Sequence, residues 1–230
     1  MKSILITGAT SGIGKALATH AANQGYRVIA CGRNEETLNE LSRYSNIEAC
    51  QFDVTDLEDA RRALATVKFD IAVLNAGTCE YVDIDSFEPD MFRRVFEPNF
   101  FGVVHCVDAL LPRFKKGDKL VIVDSMARLL PFTKTQAYGS SKAALHYFTK
   151  SLEVDLHEKG VKVQAVSPGF VETPLTDKND FEMPMKISAE EAAEAMLKGM
   201  ESNKQSVFFP RAFGFILRLM HVLPTPLQKR

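Results

Sequence analysis

The chain carries no surplus of charge: 28 Lys and Arg stand against 29 Asp and Glu, a net of -1. A near-neutral chain builds no long-range field, which argues against nucleic acid or an acidic membrane surface as its partner. Cysteine is scarce and unpaired in sequence. Cys31, Cys50, Cys79 and Cys106 form no CxxC and no close pair, so neither a metal site nor a disulfide framework is expected. They read as small buried hydrophobes, which suits a reducing compartment. No run of about 18 apolar residues is free of charge, so no spanning helix is expected. Met1 leads straight into the strand-like SILIT at 3–7, which leaves no room for a signal peptide. A cytoplasmic protein is the expectation. Linker-like breaks, internal repeats and low-complexity segments are also missing.

What remains is a chain of 230 residues, 46% hydrophobic and 25% charged, enough for a large core. Short β-rich runs alternate with helical patterns. SILIT (3–7), RVIAC (27–31), IEACQF (47–52), FDIAVLN (69–75), KLVIVD (119–124), VKVQAVS (161–167) and SVFF (206–209) read as strands. Helical spacing covers Gly12 to Gln24, where Gly25 is a stop, and stretches near 88–114, 135–159 and 188–200. Asn34 is placed to cap a helix after the second strand. Ser188 and Glu191 match a capping box. Strands alternating with helices imply parallel βαβ units. The fold class is α/β, a doubly wound, mostly parallel sheet of about seven strands with helices on both faces. With no break before residue 209, one domain spanning 1–230 is expected.

ITGATSGIG follows the first strand and opens the first helix, with glycines at 8, 12 and 14. Glycine permits the tight turn and lets backbone approach a phosphate. The helix N-terminus then offers free N–H groups and partial positive charge to a pyrophosphate. Thr10 and Ser11 add hydroxyls, and Ile13 lies between the last two glycines. A purely structural strand-to-helix turn is the blander reading. An acid at the end of the second strand would bond the ribose 2′-hydroxyl of NAD. CGRN stands there instead, and Arg33 suits the 2′-phosphate of NADP. Glu35 or Glu36 can still reach the ribose, so NAD remains the alternative.

In QAYGSSKAAL (136–145), Tyr138 and Lys142 are four residues apart and share one helix face. A free tyrosine has a pKa of about 10, roughly 4 kcal/mol from neutrality. A cation about 5 Å away at an effective dielectric near 20 supplies roughly 3 kcal/mol. A lysine thus nearly makes the phenol a working acid or base. A core tyrosine beside a surface lysine is the competing interpretation.

The set formed by TGATSGIG (7–14), FDV (52–54), NAG (75–77), PNFFG (98–102), Ser125, YGSSK (138–142) and SPGFVET (167–173) resembles the short-chain dehydrogenase/reductase family of the compact, single-domain type. The resemblance spans nearly the whole chain and weakens after about residue 175. It implies a Rossmann-type fold and an NAD(P)-dependent oxidoreductase. Ser125 and Tyr138 would hold a carbonyl or alcohol, with Tyr138 as acid or base. Lys142 would contact the nicotinamide ribose and lower the tyrosine pKa, and Asn99 would hold a water linking Lys142 to solvent. Asn75, Ala76 and Gly77 would let the cofactor cross the strand ends. Asp53, beside Val54, would meet the adenine amino group or simply cap a turn. Pro168, Gly169, Val171 and Thr173 would flank the nicotinamide. Two positions depart from the pattern: Asp124 where a small or hydroxyl residue is usual, and Met126 where a second serine is frequent.

The expected activity is NADP-preferring hydride transfer to or from a carbonyl or secondary alcohol, on an apolar or amphipathic small molecule. A nucleotide-sensing regulator without turnover is the rival from another class. A mobile substrate lid is expected near 173–187. The apolar tail near 207–230 reads either as an amphipathic surface helix or, preferably, as a helix over the cleft or against another subunit. Apolar faces on the helices near 88–114 and 135–159 suggest a homodimer or homotetramer.

Overall fold

The computed structural model describes residues 1–177 and 181–224. The strands are β1 (Ser3–Thr7), β2 (Arg27–Gly32), β3 (Ile47–Gln51), β4 (Ile71–Leu74), β5 (Lys119–Val123), β6 (Lys162–Pro168) and β7 (Ser206–Phe209). They form one sheet in the order β3-β2-β1-β4-β5-β6-β7, and every neighbouring pair is parallel. The chain winds outward from β1 to β3, then returns to start again at β4. That reversal opens a crevice beyond the carboxyl ends of β1 and β4, where open α/β sheets take their ligands.

The central strands are apolar throughout because helices cover both faces. Along β1, Ile4 and Ile6 face one core and Leu5 the other, the two-residue period of a pleated strand. The first core is closed by α1 (Gly12–Asn23), α2 (Glu35–Leu41) and α7 (Ala189–Glu201). The second is closed by α3 (Leu57–Leu64), α5 (Gly102–Leu110) and the long α6 (Gln136–His157). Leu120 on β5 sits in this second core with 0% exposure. Leu120→Ala should therefore cost about 2–5 kcal/mol, read as a lower denaturant midpoint with an unchanged m-value.

The caps form as expected. Asn34 accepts the Thr37 N–H at 2.8 Å, and Ser188 and Glu191 complete a capping box. The segment near 88–114 differs. It is not one helix but α4 (Pro89–Phe96), a π-helical turn over Glu97–Phe101, α5 and a short 3₁₀ turn at Leu111–Arg113. Pro98 lacks the N–H that an α-helix needs, and its ring displaces a carbonyl one turn back, so the helix widens there. β4 stops at Leu74, because Asn75 and Ala76 give their N–H groups to the Thr7 hydroxyl rather than to a neighbouring strand. The last helix, α8 (Arg211–His221), follows β7. The four cysteines are free thiols.

Candidate active site

The turn after β1 is built by close backbone approach. Gly8 has φ of 67°, and a β-carbon there would lie 2.8 Å from the Ala76 Cα. A β-carbon on Gly14 would lie 2.1 Å from the Gly8 carbonyl oxygen. These contacts bring the N-terminus of α1 against the strand ends. The Thr7 hydroxyl accepts the N–H of Asn75 at 3.0 Å and of Ala76 at 3.2 Å, and Asn75 Nδ2 donates back to the Thr7 carbonyl at 3.2 Å. Thr7 was not among the residues expected from sequence. Its sequence signals are a hydroxyl in the last position of a buried strand and the first place in TGATSGIG (7–14).

Three hollows at the strand ends adjoin one another through shared lining residues. The first, of about 480 Å³, is lined by Gly8, Thr10, Ser11, Arg33, Asp53 and Val54, with Ala76 and Gly77 at its floor. The second, of about 100 Å³, joins Ile13, Asn75 and Gly77 to Ser125, Tyr138 and Lys142, with Pro168, Gly169, Val171 and Thr173 opposite. The third, of about 310 Å³, shares Ser125, Tyr138, Pro168 and Gly169 with the second. Residues from seven separate stretches of the sequence thus meet along one groove. Gly12 and Gly14 do not themselves line these hollows; Gly12 packs against Thr173, and Gly14 against the Gly8 carbonyl and Asn75, neighbours that do.

Asn99 stands behind the groove, fully buried in the π turn. Its side chain accepts the Thr78 N–H at 2.7 Å and donates to the Thr78 carbonyl at 2.9 Å and to Ser141 Oγ at 3.0 Å. It therefore ties the loop after β4 to α6, one residue before Lys142.

Ser125 follows β5, and its hydroxyl caps a 3₁₀ turn at Met126–Arg128 by accepting the Ala127 N–H at 3.1 Å. Tyr138 and Lys142 occupy successive turns of α6, with Lys142 Nζ 5.9 Å from the centre of the tyrosine ring. The ammonium is buried and donates to the Val123 carbonyl at 3.0 Å. Burial lowers the Lys142 pKa to about 8, against the opposing pull of Asp124. Burial likewise pushes the Tyr138 phenol well above its ordinary value, outweighing the Ser125 hydroxyl hydrogen-bonded to it. This corrects the sequence argument for a phenol made acidic by lysine. Desolvation of the phenolate dominates, and the ammonium that would offset it is itself desolvated.

Comparison with known proteins agrees with this geometry. Residues 2–183 match the family model described as short chain dehydrogenase. The chain belongs to that family. An uncharacterized oxidoreductase of Myxococcus xanthus is 33% identical over 98% of this chain and 94% of its own length. Two solved short-chain dehydrogenases share the fold. One, from Burkholderia cenocepacia in complex with NADP, has a TM-score of 0.90 at 24% identity, covering 100% of this chain and 96% of its own. The other, from Burkholderia phymatum in complex with NAD, has a TM-score of 0.84 at 21% identity, covering 96% and 92%.

For a short-chain dehydrogenase, the groove fits a dinucleotide on this chain's own geometry. Glycine is required where backbone must approach closely, the N-terminus of α1 opens at Ser11, and no acid occupies the first turn of α1. At its outer end Arg33 is largely exposed, with Nη1 3.3 Å from Asp53 Oδ2. Asp53 also accepts the Thr55 N–H and hydroxyl at 2.9 and 2.8 Å. Burial works to raise the Asp53 pKa; the Thr55 bonds and then Arg33 overcome it, and the net shift is downward. Glu35 and Glu36 lie in the first turn of α2, around a separate hollow with Asn39 and Arg43, and do not line the groove.

The third hollow is apolar. Rings pack edge to face in series, Tyr81 on Phe181 at 5.8 Å and Phe181 on Phe170 at 6.1 Å, and Phe213 continues the row, tilted against Phe170 at 5.7 Å. Among the described residues its lining includes no Lys, Arg or His, and Glu182 is its charged member. Leu175, Thr176, Phe181 and Pro184 come from the expected lid, of which residues 178–180 lie outside the described residues. From the tail, α8 places Phe213 and Leu217 in the lining of this hollow, while its Phe215 and Leu219, and Val222 just beyond it, are exposed. Residues 225–230 of the tail lie outside the described residues. No helix among the described residues is long and apolar enough to cross a membrane.

Proposed function

We propose that this short-chain dehydrogenase is an NADP-preferring enzyme that interconverts an uncharged, apolar carbonyl compound and its secondary alcohol. One observation carries the reading: Tyr138 and Ser125 stand where a nucleotide-shaped groove meets an apolar cavity. A substrate oxygen placed between the two hydroxyls has its carbon at the boundary of both spaces. Bound nicotinamide supplies or accepts the hydride. Ser125 Oγ orients the substrate oxygen, and Tyr138 delivers the proton to it during reduction. Its raised pKa keeps the phenol protonated through the neutral range, so the proton is in place, and transfer requires bound partners to bring that pKa back toward the working pH. Lys142 holds the ribose side, and Asn99 keeps the loop at Thr78 and the α6 backbone in register around it. The row of rings, and a lining that among the described residues includes no cation, favour a flat apolar substrate and disfavour carboxylates or phosphates. The lid residues, with Phe213 and Leu217, would then exclude water during transfer. Subunit pairing would use α6, where Tyr147 and Val154 remain exposed on the single chain. The defining test follows NADPH absorbance against a panel of aromatic and alicyclic ketones and aldehydes. Cofactor binding without carbonyl-dependent oxidation across that panel would overturn the reading.

NADP preference rests on Arg33, the cation at the groove's adenosine end. Hydrogen bonds to charged groups contribute about 1.5–3 kcal/mol, and about 1.4 kcal/mol is tenfold in affinity. Arg33→Ala should weaken NADPH binding at least about tenfold while NADH changes little. Equal losses for both cofactors, measured by fluorescence titration, would remove the phosphate contact from the argument.

A further inference from the structure

Asp124 departs from the family pattern, and the structure gives it an unusual setting. It follows β5 directly and precedes Ser125. Its side chain is completely shielded from solvent. The carboxylate accepts Arg128 Nε at 3.0 Å, His146 Nδ1 at 2.6 Å and the Ser167 hydroxyl. Arg128 Nη2 also reaches Ser167 Oγ at 3.4 Å. Arg128 belongs to the turn carrying Met126, His146 to α6 and Ser167 to β6. One buried carboxylate therefore joins the elements that carry Ser125, Tyr138 with Lys142, and Pro168.

A buried carboxylate is costly even when well bonded, and apolar side chains of similar volume could pack the same junction. Its neighbours supply a reason to keep it. Lys142 is one helical turn before His146 on the same face of α6. Its ammonium is buried and bonded to the carbonyl of Val123, the residue before Asp124. A buried cation beside the reacting groups has every incentive to lose its proton unless a counter-charge is near.

We propose that Asp124 is a positioning residue whose buried carboxylate is the counter-charge that keeps Lys142 protonated and in register with Tyr138. Its role in turnover rests on the reductase reading above; its electrostatic role does not. Besides Asp124, the ionisable groups beside Lys142 are Cys79 from the loop after β4 and Tyr138 on its own helix, with Arg128 and His146 acting through their bonds to Asp124. The π turn presents the uncharged Asn99, and β6 presents Pro168 in the same hollow. Asp124 raises the pKa of both Lys142 and Tyr138. Removing its charge should lower both. Lys142 would then lose its proton, and Tyr138 ionise, at lower pH. The alkaline limb of carbonyl reduction should move downward accordingly.

The direct test needs neither substrate nor cofactor. Full-length protein with ¹³C-labelled lysine is titrated by NMR, and the Lys142 Cε signal is assigned with Lys142→Met. The wild-type midpoint is expected near 8. Asp124→Asn should lower it by about one pH unit or more. Arg128→Gln removes a cation that competes for the carboxylate and should shift the midpoint upward. A disturbance of packing alone would not move the two variants in opposite directions. An unmoved midpoint in Asp124→Asn, or a shift of the same sign in both, overturns the proposal. If Asp124→Asn does not fold, Arg128→Gln decides alone, and an unmoved or lowered midpoint refutes it. The absence of any carbonyl-dependent NADPH oxidation would count against the proposed function and leave this titration unaffected.

Discussion

Tyr138→Phe should reduce carbonyl-dependent NADPH oxidation at least about a hundredfold, the lower end of what a positioned proton donor contributes. NADPH affinity should stay within a few-fold of wild type. The reason for the contrast is local. The substitution removes one oxygen and keeps the ring, so contacts with the groove wall and the Lys142 ammonium over the ring face are preserved. The lost atom belongs to a residue that lines both hollows, at the junction where the substrate oxygen is proposed to sit. Steady-state rates with an active carbonyl probe and a fluorescence titration of NADPH read the two quantities separately. Activity equal to wild type would remove Tyr138 from the chemistry. Comparable losses of rate and affinity would show that the variant had damaged the groove instead. The wild-type profile carries a further sign. Lys142 is charged below its pKa of about 8 and loses that charge above it. Reduction should therefore decline as pH rises through that value, while the phenol itself remains protonated.

Much of this site was readable from residue order because the fold converts sequence position into spatial position by a simple rule. Every strand is parallel, so every carboxyl end lies on the same edge. Any motif immediately after a strand must arrive at that edge. The glycine turn after β1, Arg33 after β2, Asp53 after β3, Asn75 after β4, Ser125 after β5 and Gly169 after β6 all obey it. Tyr138 and Lys142 join them through the four-residue helical period of α6. Residues whose role depends on a neighbouring strand or helix were not readable in this way. Thr7 matters because β4 lies beside β1, not because of anything near it in the chain. Asp124 stood out only as a departure; its partners are 4, 22 and 43 positions away. The direction of the Tyr138 shift was missed for a related reason. Spacing reveals a nearby charge but not the walls that exclude water, and here those walls decide the sign. The aromatic row is assembled from the loop after β4, the lid, the turn after β6 and α8, which no local pattern connects.

The glycine turn offers the second large effect, and its sign separates two physical accounts. Alanine exceeds glycine in helix propensity by about 1 kcal/mol, and Gly14 lies inside α1. Propensity alone therefore makes Gly14→Ala stabilising. The tertiary geometry gives the opposite result. The new methyl would lie 2.1 Å from the Gly8 carbonyl oxygen and 2.7 Å from Asn75 Nδ2. No side-chain rotation relieves the first clash, because the obstructing atom is backbone. The start of α1 must move away from β1, which costs at least the 1–3 kcal/mol or so of an overpacked site. That movement also displaces the α1 N-terminus, the end of the helix expected to meet a pyrophosphate. Gly14→Ala should thus lower the denaturant midpoint and weaken NADPH binding by at least about tenfold. Gly139→Ala is the matched control for stability. It too lies inside a helix, but its added methyl would meet the nearest atom, the Ala127 carbonyl oxygen, at 3.4 Å. There propensity is free to act, and the midpoint should hold or rise. If both variants were stabilised alike, the tight approach of α1 to β1 would be wrong, and with it the cradle on which cofactor binding depends.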